Sequence, residues 1–193
     1  MTLPPVIRIF FAIDLPQETK REVGRFIGTL KKKSKTNAIR WTKPENLHVT
    51  LQFLAEVHSE HLHLLMENVR TNMVGKLKSQ ALSMGKLHLF PNPYRPRVIV
   101  LELDHQEELA ALSALIGHGI KATNYEVESR PFRGHLTLGR IKHAQSVNLN
   151  FLAEMDQPEI TPVTVSEVVL FRSEPEQHGS KYTVMETIAL KGG

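Results

Sequence analysis

The chain has 193 residues, 41% hydrophobic and 23% charged, the balance of a folded protein with its own core and not of a disordered or fibrous one. It contains no cysteine, which excludes disulfides, thiolate nucleophiles, iron–sulfur clusters and cysteine zinc sites. A formal net charge of +4 tolerates an anionic partner without naming one, and the ten histidines are the unusual count.

Residues 6–16, VIRIFFAIDLP, form a β-branched and aromatic run that reads as a strand closed by Asp14 and Pro16. Arg8 interrupts it, so it is no signal-peptide core, and no window of the chain reaches the roughly 18 apolar residues of a membrane span. A helix from Glu18 to about Lys33 follows, with Val23, Phe26, Ile27 and Leu30 inward and lysines at its negative pole. NLHVTLQFL, residues 46–54, alternates: Leu47, Val49, Leu51 and Phe53 on one face, His48, Thr50 and Gln52 on the other. A second helix runs from Ser59, its N-cap, to about Lys78, with Leu65, Val69 and Leu77 on its apolar face.

Residues 81–90 and 97–104 read as a hairpin around the turn-rich PNPYRP. Gln106 to His118 is a third helix, stopped by Gly117 and Gly119. GHLTLGRI (134–141) is a strand, 147–155 a short helix, and 164–173 with 181–190 a closing hairpin. Seven or eight strands, three principal helices and two strand–helix–strand–strand units predict an α+β architecture of antiparallel-rich sheets with outer helices.

The chemistry is carried by a short repeat, His48-Val49-Thr50-Leu51 and His135-Leu136-Thr137-Leu138. Strand periodicity sends each histidine and threonine to one face and the residues between them into the core. Two such strands side by side offer two imidazoles and two hydroxyls to one cleft, with Val49 and Leu136 in apolar packing. Imidazoles with a pKa near 6.5 can act as acid and base, while hydroxyls hold phosphate oxygens, which suffices for phosphoryl transfer without a metal. The bland alternative is a pair of unrelated surface-strand histidines.

With these motifs the chain resembles the 2H phosphoesterases, most closely their bacterial RNA 2′,3′-cyclic phosphodiesterase branch, also named 2′-5′ RNA ligase. The resemblance rests on RIFFAIDLP, ENLHVTLQFLAEV, RPFRGHLTLGR and VVLFRSE…GSKYTVMETIAL, in the family's order from residue 8 to 190. It implies one domain over 1–193, a two-lobed, pseudo-symmetric 2H phosphoesterase fold of intertwined lobes with a central cleft. It also implies an enzyme that opens RNA 2′,3′-cyclic phosphate to a 2′-phosphomonoester, with reversible 2′-5′ ligation, and needs no cofactor. His48 is then the proton donor, His135 the proton acceptor, and Thr50 and Thr137 bind phosphate; the symmetric repeat alone cannot separate donor from acceptor. Expected partners are RNAs with 2′,3′-cyclic phosphate ends, tRNA fragments among them, with no membrane, for a cytoplasmic monomer. Gly134 stands where the family often has proline, and Gly139 is smaller than usual.

Other candidates are weighed against plainer roles. Arg130 and Arg133 offer planar donors to an anion, or belong to a solvated loop. Phe10 stacks on a base or packs in the core; Trp41 and Lys43 touch RNA, or Trp41 anchors a loop. Tyr94 is a loop aromatic. His58, His61 and His63 lack metal-ligand spacing, and no metal site is expected. His88, His105, His118, His143 and His178 carry no assigned role. Competing functions are another 2H activity on small cyclic nucleotides or RNA 3′ ends, and a non-catalytic RNA-binding module.

Overall fold

The alternating run around the first motif finds its partner in the strand that opens the chain. β1 (Val6–Asp14) and β3 (His48–His58) pair antiparallel, with Val6 opposite His58 and Asp14 opposite His48. Between them α1 (Gln17–Ser34) starts after Pro16, whose carbonyl accepts from Lys20 N at 2.9 Å. It buries Val23, Ile27 and Leu30, and its last turn holds Lys31, Lys32 and Lys33 in solvent at the negative end of the dipole. The computed structural model describes residues 3–73, 75–76, 79–142, 147–177 and 179–190.

The described residues add α2 (Leu62–Met73), α3 (Gln106–Lys121) and the strands β2 (Ile39–Trp41), β4 (Gln80–Leu82), β5 (Met84–Phe90) and β6 (Val98–Leu103). They close with β7 (His135–Ile141), β8 (Val163–Val165), β9 (Glu167–Glu176) and β10 (Gly179–Ala189). The first sheet has the order β10-β9-β1-β3, the second β2-β7-β6-β5, and β4-β8 form a separate pair. Every pairing is antiparallel, and both expected hairpins form, β5 with β6 and β9 with β10. The protein is α+β.

One buried cluster joins the inner faces of both sheets to all three helices, through Phe11, Val49 and Leu170, Leu101 and Leu136, and Leu30, Leu65 and Ile116. A small second cluster, Phe10, Ala12, Val169 and Phe171 with Tyr182 against it, covers the opposite face of the first sheet. Apolar surface on both faces of β1 explains why its sequence is a run and not an alternation.

Several elements depart from the sequence expectation. The stretch 81–90 is two strands, because Ser83 leaves the ladder to donate its N–H to Asp104 Oδ1 at 2.7 Å. The strand expected over 164–173 likewise divides at Ser166, β8 pairing with β4 and β9 with β1 and β10. Ser59 caps nothing: it opens a short 3-10 turn, Ser59–His61, before α2, and Leu77 and Lys78 lie outside the described residues. The helix expected over 147–155 is a 3-10 turn, Asn150–Glu154, and His143 and His178 also lie outside the described residues. β2 was too short to register as a pattern.

Gly117 and Gly119 do not stop α3, which continues to Lys121. A Cβ on Gly119 would lie 2.5 Å from Val69 Cα, so glycine lets α2 and α3 meet backbone to backbone. That contact outweighs the weak helix propensity of glycine.

Both motif strands carry a β-bulge at the same place. On β3 the register steps from Thr50 opposite Ala12 to Gln52 opposite Phe11, leaving Leu51 as the extra residue. On β7 it steps from Thr137 opposite Val100 to Gly139 opposite Ile99, leaving Leu138 extra. Each bulge inverts the facing of the residues that follow it, on β3 as far as a second register shift between Leu54 and Val57. Gln52, expected beside His48, therefore turns inward, where its amide donates to Ser113 Oγ at 2.9 Å and Ser113 O at 3.1 Å on α3. Phe53, expected in the core, turns outward and is 49% exposed. On β7 the same inversion brings Arg140 to the face of His135 and Thr137.

Candidate active site

The two motif strands belong to different sheets, yet residues of β3 come within 8 Å (Cα–Cα) of residues of β7. As the repeat predicts, Val49 and Leu136 are fully buried in the shared cluster. Each histidine is held in the same way. His48 Nδ1 donates to Asn46 O at 2.7 Å, and His135 Nδ1 donates to Arg133 O at 2.8 Å. A nitrogen facing a carbonyl must carry hydrogen, so both neutral rings present Nε2 as the free base. His48 Nε2 lies 3.0 Å from Thr50 Oγ1, whose hydroxyl donates to it. Asn46 is anchored in turn by its amide, which donates to Ser180 O at 2.8 Å.

Aromatic rings back both imidazoles. Phe10 lies 4.7 Å below His48, and Tyr182 meets it edge-on at 5.2 Å. Phe90 stacks on His135 at 4.8 Å, with the Arg133 guanidinium 5.6 Å over the same ring.

Burial under these rings pushes the His48 pKa down to about 4, against the pull of the Asn46 carbonyl and the Asp14 carboxylate; Arg140 and Lys20 push it down further. His135 is also lowered, first by burial and then by Arg140 and Arg133, while its bond to the Arg133 carbonyl works in the opposite direction. The charge of Arg140 thus reaches both imidazoles. Asp14, opposite His48 in the ladder, is itself paired with the buried Lys20 at 2.7 Å. Among the described residues no group of histidines and carboxylates is placed to hold a metal ion.

The remaining sequence candidates divide. Arg133 stands at the site through its carbonyl, its charge and its contact with Phe90. Phe10 is at the site but only 3% exposed, so it supports His48 and leaves no face for a base. Trp41 turns to the inner face of the second sheet and packs against Gly139, away from the cleft. Lys43 is exposed just before the turn that leads into β3. Arg130 is exposed and bound by Glu128 at 2.5 Å, which holds that carboxyl down at about 2. Tyr94 is 93% exposed in the β5–β6 turn. His58 and His61 face Tyr125, whose hydroxyl accepts from His58 N at 3.0 Å and lies 2.8 Å from His61 Nδ1. Gly134 is clamped by Gln106: its N–H donates to Oε1 at 2.9 Å and its carbonyl accepts from Nε2 at 2.8 Å. Proline there would forfeit the first of these bonds.

Sequence reasoning missed Arg140, Phe90, Tyr182 and the Asp14–Lys20 pair. Arg140 had a signal. Unbroken alternation would have placed an arginine in line with Leu136 and Leu138 on the apolar face, an anomaly that only a break in register removes. A hollow of about 720 Å³ lined by Met84 and residues 157–161 lies apart from both motifs and holds no imidazole.

Comparison with known proteins agrees with this architecture. The LigT like phosphoesterase family matches residues 13–100 and again 101–182, one motif in each half. An RNA 2′,3′-cyclic phosphodiesterase of Methanothermobacter thermautotrophicus is 31% identical over 95% of this chain and 99% of its own. One of Thermotoga maritima is 26% identical over 97% of each. Among solved structures, E. coli LigT superposes with a TM-score of 0.78 in its apo form, at 25% identity over 97% of this chain and 99% of that one. The same protein complexed with 3′-AMP gives 0.77, at 25% identity over 96% and 98%. With both halves of the chain matched and each half contributing one motif strand, the protein belongs to the LigT like phosphoesterases, the 2H phosphoesterase family.

Proposed function

We propose that this protein hydrolyses the 2′,3′-cyclic phosphate at RNA ends to a 2′-phosphomonoester, using its two imidazoles as acid and base and no metal or nucleotide cofactor. One observation carries the reading. Each ring commits Nδ1 to a carbonyl two residues back, keeps Nε2 for chemistry, and feels the charge of Arg140. The names of the relatives support the substrate, and the 3′-AMP complex of E. coli LigT supports a nucleotide ligand.

In the reaction a water attacks phosphorus and the P–O3′ bond breaks. His135 Nε2 accepts the proton of the water, and protonated His48 gives its Nε2 proton to the departing O3′. Exchange with solvent restores both rings. The surrounding charges support this division. A carboxylate, Asp14, favours the imidazolium at His48, with Lys20 working against it, whereas Arg133 favours the neutral ring at His135; Arg140 lowers both rings and does not separate them. Burial opposes charge at His48, so the bound phosphate supplies the remaining stabilisation, raising that ring's pKa as it docks. Thr50, Thr137 and Arg140 hold the non-bridging oxygens as charge builds. A ribose 5′-hydroxyl in place of water gives a 2′-5′ linkage by the same bond changes. Both imidazoles come from one chain, so a monomer suffices, acting on cytoplasmic RNA ends, tRNA fragments among them.

The test is a defined oligoribonucleotide ending in a 2′,3′-cyclic phosphate, incubated with the protein in excess chelator and read by phosphorus NMR. A 2′-phosphate with a free 3′-hydroxyl is expected. A 3′-phosphate product, or turnover only after adding Zn²⁺ or Mg²⁺, refutes the mechanism.

A further inference from the structure

Resting on that reading of the site, we propose that Arg40, with Lys142 beside it, forms a second phosphate subsite. It takes the internucleotide phosphate on the 5′ side of the terminal nucleotide, which makes the preferred substrate an oligonucleotide end and not a mononucleoside cyclic phosphate.

Arg40 is exposed on β2, the edge strand of the second sheet, directly opposite Arg140 on β7. Thr42 N donates to Leu138 O and Lys142 N donates to Ala38 O, each at 2.8 Å, on either side of the arginines. That pattern makes Arg40 and Arg140 a hydrogen-bonded pair, whose Cα atoms stand about 5.5 Å apart with side chains on one face. The bulge at Leu138 makes this the face of His135 and Thr137, and the neighbouring Ile39 and Trp41 turn the other way, against Ile141 and Gly139. Two residues beyond Arg140, exposed Lys142 returns to the same face. Three cations thus continue the line from Thr137 away from the imidazoles.

Like charges directly opposite in a ladder are destabilising. Among the described residues the arginines with carboxylate partners are Arg21, Arg70, Arg130 and Arg172, all elsewhere. Glu102, on the same face, lies at the other end opposite His135, with His88 at 3.3 Å. Across the ladder from Arg140, β6 presents Val98, which is buried and apolar. Arg140 is accounted for by the reacting phosphate. Among the described residues Arg40 and Lys142 remain as donors with no carboxylate to meet, at one residue's reach from it. A polynucleotide offers its next charge at that distance; a mononucleoside cyclic phosphate has none to offer.

The test compares adenosine 2′,3′-cyclic phosphate with the dinucleotide ApA bearing the same cyclic end, for the parent, Arg40→Gln and Arg40→Lys. The parent should prefer the dinucleotide in kcat/KM, and Arg40→Gln should cut that preference by about tenfold, chiefly through KM. Arg40→Lys should restore most of it, since it keeps the charge. The slope of log KM against log salt for the dinucleotide should fall by about 0.7 in Arg40→Gln, one counterion's worth for a single strand. Equal slowing on both substrates, or an unchanged preference, overturns the subsite and leaves Arg40 as edge protection. Binding is read separately from turnover by isothermal titration calorimetry with ApAp and adenosine 2′-phosphate. An Arg40-dependent affinity for ApAp without any turnover supports the subsite and defeats the proposed reaction; equal affinities in parent and Arg40→Gln defeat the subsite.

Discussion

Acidification should withdraw about 2.5 kcal/mol of folding free energy through His48 alone. Folded, this ring is held at about 4, chiefly because burial disfavours its cation, whereas an unfolded histidine titrates near 6.5. Above 6.5 neither state binds the proton, so the ring's contribution to stability is fully present. Between 6.5 and 4 the unfolded chain alone takes the proton up and stability falls; below 4 both states carry it and the slope ends. At 1.36 kcal/mol per unit the whole depression amounts to roughly 3 kcal/mol, of which about 2.5 is expressed near pH 4.5. The comparison is His48→Asn, whose amide keeps a donor for the Asn46 carbonyl. Urea unfolding followed by circular dichroism, near pH 7 and near pH 4.5, gives the change for each protein. His135 and the carboxylates titrate in both and cancel in the difference. The parent should lose about 2.5 kcal/mol more than the variant, and inorganic phosphate should shrink the gap by favouring the imidazolium. Parallel losses in the two proteins would refute the argument that a desolvated His48 waits for the substrate's charge.

On a cyclic-phosphate RNA, His48→Ala and His135→Ala should each lower turnover by at least about 10²-fold, and the double variant by far less than the product of the two. Thr50→Val and Thr137→Val should each weaken transition-state binding by roughly 1–3 kcal/mol in initial-rate measurements. Arg140→Met removes a charge that lowers both imidazoles, so both apparent constants of the pH–rate profile should move upward; unmoved constants would separate Arg140 from the pair. Gly139→Ala puts a Cβ 3.0 Å from both Ile39 Cγ2 and Trp41 Cε3, and should cost about 1–3 kcal/mol, lowering Tm by roughly 2–4 °C per kcal/mol. Trp41→Leu in that background should recover part of the loss, and an uncoupled pair would refute the packing account.

Local pattern determined a good deal of this protein. An apolar run placed β1, period-two alternation placed β3 and β7, the 3.6-residue spacing placed α1 and α3, and the two His-x-Thr copies picked out the imidazoles that the proposed reaction uses, because strand facing is a property of a few consecutive residues. Where pattern misled, a tertiary partner had outbid it: Gln52 faces inward because Ser113 on α3 satisfies its amide, and Gly119 stays helical because Val69 needs the space. Arg140 joined the cleft only through a bulge, which exists between two strands and not within one. The histidines themselves are equivalent in the sequence, a symmetric repeat with no acid and no base written into it. Asp14, paired with Lys20, beside one ring and Arg133 beside the other make their surroundings unequal. Charges act through space, and only the folded chain decides which charge stands next to which imidazole.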